Sequence, residues 1–178
     1  MQKHYLINND MKHTLFALLL CLLGFCGQIM AQNEPTLQHA MTLHVALGQA
    51  YQVGTTPHGE RNVIPITGGT FEGPNIKGTV IPGGADWQMT NKEMNRTEVE
   101  AIYSIRTDDG VNIHVRNQGI IWTGKNENGQ PQFYFRCAPK FEAPADSRYA
   151  WLNNSLFLCA PDFGGPQGTI TLKVWKVN

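Results

Sequence analysis

Residues 65–88 read PITGGTFEGPNIKGTVIPGGADWQ, and this stretch decides the fold. Six of its 24 residues are glycine (Gly68, Gly69, Gly73, Gly78, Gly83, Gly84) and three are proline (Pro65, Pro74, Pro82). Between these breakers stand short β-branched and aromatic pieces, Thr70-Phe71 and Thr79-Val80-Ile81. A glycine pair inside a strand marks a bulge or a barrel corner, because the backbone bends there or approaches another strand closely. The stretch therefore predicts strands that curve, with a kink at Gly68-Gly69 and a turn at Gly83-Gly84. It ends in an acid, an indole and an amide: Asp86, Trp87 and Gln88.

Working outward, the same alternation recurs. Met41, Leu43, Val45 and Leu47 share one face of a half-buried strand, which a bend at Gly48 carries on toward Val53. Val99, Ala101, Tyr103 and Ile105 share a face of the next clear strand. Asp109-Gly110 is a hairpin turn signal, and Val111, Ile113 and Val115 return on the same face. Phe133 to Cys137, Tyr149 to Ala160 and Thr169 to Val177 read as further strands. No window carries a convincing helical period beyond the N-terminal segment. Eight to ten short strands with Gly, Pro and Asn-Gly punctuation predict an all-β fold, an antiparallel barrel that is lipocalin-like in general shape. A barrel is preferred to a sandwich because closure removes exposed edges and the glycine pairs supply corners.

At 178 residues the chain is one domain with an appendage. From Met11, basic Lys12 and His13 precede the apolar run Leu15 to Phe25 and then Ile29-Met30-Ala31, the pattern of a secretory signal cut after Ala31. The apolar run is shorter than the ~20 residues of a membrane span, so no stable anchor is expected after cleavage. Neither Cys21 nor Cys26 follows the small residues of a lipoprotein site. Residues 32–178 then form a single exported domain, periplasmic or secreted, with 12 basic and 13 acidic residues. Near-neutral charge offers no basic face for nucleic acid and no polybasic run for a membrane, and leaves room for a homo-oligomer. Cys137 and Cys159 remain. In an exported domain such a pair is more often a disulfide than a metal site, and two buried thiols are the alternative.

Five blocks appear in order: PITGGTFEGP, GTVIPGGADWQ, TDDGVNIHVRNQG, FRCAPKFE and YAWLNNSLF. Together they resemble the bacterial and fungal domain-of-unknown-function 3237 family, over about Leu43 to Val177. The resemblance implies a compact antiparallel barrel and a site, but no reaction. Two departures stand out. Members usually carry threonine or serine at the position of Cys137, and often a small residue at Cys159. They also often lack a signal peptide. Both departures fit an exported, oxidised variant.

For chemistry, a metal is poorly supported: His39, His44, His58 and His114 show no paired ligand spacing, and neither mature cysteine lies in C-x-x-C. Ser104, Ser147 and Ser155 lie outside any G-x-S-x-G. No phosphate loop or other cofactor motif is present, so no cofactor is expected. Carboxylates remain. Asp86 beside Trp87 is the candidate proton shuttle, because partial desolvation raises a carboxyl pKa. Its alternative is an Asp that satisfies turn amides. Asp108 and Tyr103 are the other candidate catalytic groups. Gln88, Trp87, Arg136 and the alternating Tyr149, Trp151 and Asn153 are candidate ligand contacts at one barrel rim. Two functions follow: a cofactor-free lyase, isomerase or hydrolase acting on a small polar, oxygen-rich compound, or a non-catalytic barrel that holds such a ligand.

Overall fold

The computed structural model describes residues 34–178, so the expected signal segment and its cleavage lie outside the described residues. Nine strands follow in order: β1 (Leu37–Leu47), β2 (Tyr51–Thr56), β3 (Gly59–Gly73), β4 (Ile76–Asn91), β5 (Arg96–Thr107), β6 (Asn112–Lys125), β7 (Pro131–Glu142), β8 (Leu156–Asp162) and β9 (Thr169–Val177). Every strand pairs antiparallel with its neighbours in the order β1-β9-β8-β7-β6-β5-β4-β3-β2. β1 also pairs with β3, which closes eight of the strands into a barrel. The all-β barrel expected from the alternation is the observed fold.

Closure depends on the bend in β3. The outer half of β3, Gly59 to Val63, pairs with β2, and the inner half, Ile66 to Glu72, pairs with β1. β1 and β2 thus run the same way along successive halves of β3, interrupted at residues 48–50. This is the bend expected at Gly48. The β3–β4 register shifts between Ile66 and Thr70, the bulge expected at Gly68-Gly69. Gly69 has φ +135°, and a Cβ there would lie 2.1 Å from the His44 carbonyl oxygen, so the strand crossing requires glycine. Gly83-Gly84 is different. It does not turn the chain; β4 runs through it, and the β4–β5 register shifts between Ile81 and Ala85. The pair is a second bulge, which a curving strand needs in order to stay paired.

Inward-facing residues fill the barrel. Leu43, Val45, Phe71, Ile105, Ile113, Val115, Phe141 and Val174 are all at most 2% exposed. Alternate residues on each strand supply them, as a half-buried strand requires. The strand expected over Tyr149 to Ala160 is corrected: Ala150–Asn154 is a 3-10 helix and only Leu156–Asp162 is strand. Backbone bonds from Ala150 N to Ser147 O and from Leu152 N to Tyr149 O span three residues, the spacing of a 3-10 turn. The turn drops Leu152 into the core at 1% exposure and plugs one end of the barrel.

Candidate acid–base site inside the barrel

The two ends of the barrel differ. The β3–β4 and β5–β6 turns and the 3-10 helix lie at the plugged end. The β4–β5, β6–β7 and β8–β9 connections lie at the other. An interior cavity of about 70 Å³ opens toward this second end. Its lining is mainly aliphatic and aromatic, with Asp86, Gln88, Tyr103, Asn117 and Cys137 as its polar or thiol members. At its mouth Phe163 from the β8–β9 connection stacks on Phe135, with ring centres 5.8 Å apart and planes 23° apart. Phe163 is itself exposed.

Asp86 stands in the middle of β4, opposite Ile64 on β3 and Ala101 on β5. Its Oδ1 accepts the Glu100 backbone N–H at 3.0 Å, and its Oδ2 accepts Gln88 Nε2 at 2.8 Å. Gln88 Oε1 accepts Asn62 Nδ2 at 3.2 Å, and Asn62 Oδ1 accepts Gln52 Nε2 at 3.1 Å. A file of amides therefore runs from exposed Gln52 inward, with each N–H aimed toward the carboxyl. Donors of this kind favour the carboxylate, whereas burial disfavours it. Burial wins, and the Asp86 carboxyl is pushed above its ordinary value of 3.8. The cause differs from the one expected from the sequence. Trp87 is the next residue on the strand, so it faces outward and is 42% exposed. The barrel interior, not the indole, desolvates Asp86.

Tyr103 lies on β5 inside the same half, 4% exposed. Burial first, then the Cys159 and Cys137 thiols, drives its hydroxyl pKa upward, so it stays a neutral donor. Cys137 and Cys159 sit opposite each other as the one paired position between β7 and β8. The juxtaposition expected for a disulfide is present, but the bond is not, and both are buried free thiols. The Cys159 thiol first, then burial, raises the Cys137 pKa. Gly119 makes room for this pair, because a Cβ there would lie 2.4 Å from Cys137 Sγ.

The remaining expected site residues are not gathered here, and the single rim drawn from the sequence is corrected. Arg136 faces outward, donates from Nη1 to the Phe135 carbonyl at 2.7 Å and lies 5.8 Å from the Tyr134 ring. Asp108 is exposed at the plugged end, 3.2 Å from Lys77 Nζ. Tyr149 is buried and donates its hydroxyl to Asp109 Oδ1 at 2.8 Å. Trp151 packs on Phe157, with ring centres 5.9 Å apart. Asn153 clamps Ala143, accepting its N–H at 2.8 Å and donating to its carbonyl at 2.9 Å. Because residues 150–154 are helical, the strand alternation that grouped Tyr149, Trp151 and Asn153 does not apply to them. A wider hollow of about 800 Å³ does lie outside this plugged end, bordered by Asp108, Asp109, Tyr149 and Trp151. Its carboxylates are already paired with Lys77, Arg148 and Tyr149, and it is open to water. The Thr107 and Tyr149 hydroxyls hold the Asp109 carboxyl below its ordinary value, so it keeps its charge. The interior cavity is therefore the candidate site. Asn117, which lines it, and Gln52 and Asn62, whose amides lead to Asp86, were not expected. Asn117 was legible as the polar residue that interrupts the inward series Ile113, Val115, Asn117.

The family model for "Protein of unknown function (DUF3237)" matches residues 35–177. The chain belongs to this family. A UPF0311 protein of Rhodopseudomonas palustris is 36% identical over 135 residues, which cover 70% of this chain and 87% of that protein. The crystal structure of a beta-barrel like protein from Acinetobacter baumannii AYE superposes with a TM-score of 0.72 at 26% identity, covering 84% of this chain and 99% of that one. A hydroalkoxylation enzyme, phnH, of Penicillium herquei is 28% identical over 141 residues, 78% of this chain and 84% of that enzyme. Of these relatives of the DUF3237 chain, the Penicillium herquei protein is the one whose name states a reaction.

Proposed function

We propose that this DUF3237 protein is a cofactor-free lyase that adds or removes an O–H group across a carbon–carbon double bond, with Asp86 as its acid–base group. The observation that carries this is a carboxyl inside an apolar cavity, held at both oxygens and raised in pKa by burial. A carboxyl so tuned keeps more of its proton near neutral pH than an exposed one and suits general acid–base work. The step balances without a further reagent. Asp86 gives its proton to one alkene carbon, the hydroxyl oxygen forms a C–O bond to the other, and the hydroxyl proton returns to the carboxylate. Tyr103, kept neutral and lining the same cavity, donates a hydrogen bond to the ether oxygen of the product. The relative named as a hydroalkoxylation enzyme supports this reaction class.

The mainly apolar lining favours an apolar substrate carrying one or two oxygens over the oxygen-rich compound expected from the sequence. We place the enzyme outside the cytoplasm on the strength of the apolar Leu15–Phe25 segment, and there Cys137 and Cys159 would oxidise to a disulfide. Alkylation of periplasmic protein with iodoacetamide in denaturant, before and after reduction, tests both points. No modification before reduction and two sites after it is the expected result.

The reaction is tested with 2-allylphenol in D₂O. The cyclic ether should form with deuterium on carbon. Asp86→Asn should lower the rate by ~10²–10⁴-fold, the usual contribution of a general acid–base group. A wild-type rate in Asp86→Asn would remove Asp86 from the mechanism. Saturable binding with no turnover would favour a ligand-holding barrel instead.

A further inference from the structure

One polar group in the cavity is left unserved by the fold. Asn117 is 4% exposed, lines the cavity, and its Oδ1 has no hydrogen-bond partner among the described residues. Buried amides are almost always paired, so an unpaired one calls for a partner from outside the chain. Two of its polar neighbours are already committed. Gln88 uses both ends of its amide on Asp86 and Asn62. The Cys137 thiol faces Cys159. Position matters as much as vacancy. Ala101 on β5 pairs with Asp86 on one side and with Asn117 on the other. Asp86 and Asn117 therefore stand at one level of the wall two strands apart, roughly 10 Å between Cα atoms at the usual strand spacing. Between them lies only the methyl of Ala101, so both side chains reach into the same space.

We propose that Asn117 is the residue that recognises the substrate hydroxyl. The occupant is an apolar molecule whose hydroxyl sits against Asn117 while its reacting carbon faces Asp86; an interior of about 70 Å³ takes only that end of it, and the remainder extends past Phe163 through the mouth. An amide presents an acceptor edge and a donor edge, and a hydroxyl can serve either, whereas an ether or carbonyl oxygen serves only the donor edge. The inference rests on the reading of this cavity as the site and adds the group that selects and orients the substrate. Asn117 is a binding residue here and takes no proton.

The test uses phenol, anisole and toluene, three rings that differ only at the recognised position, and reads binding rather than turnover. Each is titrated into wild type, Asn117→Leu, Asn117→Ala and Asp86→Asn and followed by NMR. Wild type should bind phenol roughly tenfold tighter than toluene or anisole, the worth of one net hydrogen bond in a desolvated site. Both Asn117 variants should bind the three alike, and Asp86→Asn should keep the preference for phenol. Should Asn117→Leu fail to fold, Asn117→Ala and the wild-type side-chain amide signal decide, since that signal should shift with phenol and not with toluene. A preference for phenol that survives both Asn117 variants overturns the proposal, as does its loss in Asp86→Asn alone, which would put the hydroxyl on Asp86. Wild type that binds the three rings alike, or none, also overturns it and leaves an ordered water only as the partner of Asn117. Because no turnover is measured, these outcomes separate from a failure of Asp86→Asn to stop the reaction.

Discussion

Two aspartates in opposite halves of one barrel have been pushed in opposite directions. Asp86 lies in the open half, inside the wall, and burial raises its pKa despite two hydrogen bonds. Asp109 lies on a hairpin turn at the plugged end, in water, and the Thr107 and Tyr149 hydroxyls lower its pKa. Both accept two or more donors, so hydrogen bonding alone does not distinguish them. Solvent does. A carboxyl whose charge is stabilised holds a structure together, whereas one whose charge is penalised is available to trade a proton. The plugged end is thus built for stability, and the open half holds a carboxyl whose charge is penalised.

The largest effect that should sharpen this contrast comes from the plug. Leu152→Ala removes a side chain only 1% exposed from the 3-10 helix and should destabilise the fold by ~2–5 kcal/mol in chemical denaturation. Its effect on binding in the other half should be slight. Equal damage to both would show that the halves are one unit.

Next in size is the pH dependence of the two carboxyls. For Asp86 the folded pKa is raised, so the native state holds more protons than the unfolded state between 3.8 and the raised value. Its contribution to stability therefore falls as pH rises through that window. Asp86→Asn should gain melting temperature relative to wild type as pH goes from 3 to 7. Asp109 has the opposite sign. Its contribution is present above 3.8 and is lost as pH falls through its depressed folded pKa. Tyr149→Phe, which removes one of the donors, should therefore lose its stability difference from wild type on acidification. The same pH trend in both variants would erase the distinction. Smallest is Asp108→Asn, which breaks an exposed pair with Lys77 and should change stability by ~0–1 kcal/mol and the site not at all.

How much of this was legible in the sequence depends on which physical rule each residue obeyed. Period-two alternation and paired glycines led to the barrel, because inward faces and bulges leave local signatures at Met41 to Leu47 and at Gly68-Gly69. Tyr103 was legible as inward-facing because it shares that alternation, whereas Asp86 and Gln88 were picked as an acid and an amide beside an indole, and only the strand register shows that both face inward. Trp87 was drawn into the site by adjacency in the chain, although adjacency on a strand means opposite faces. Tyr149, Trp151 and Asn153 were misplaced because polar and aromatic residues at every second position look like a strand even where three-residue backbone bonds make a 3-10 turn. The amide file from Gln52 to Asp86 has no local signature at all. It joins β2, β3 and β4 through register, which is set by the bulges rather than by any one residue.

The contrast comes down to the charge state of one side chain. A ¹³C NMR titration of the Asp86 carboxyl, assigned by comparison with Asp86→Asn, measures it directly. A midpoint clearly above 3.8 is the predicted result. A midpoint at or below 3.8 would mean that the amide file, not burial, governs the group, and Asp86 would then be a structural carboxylate like Asp109.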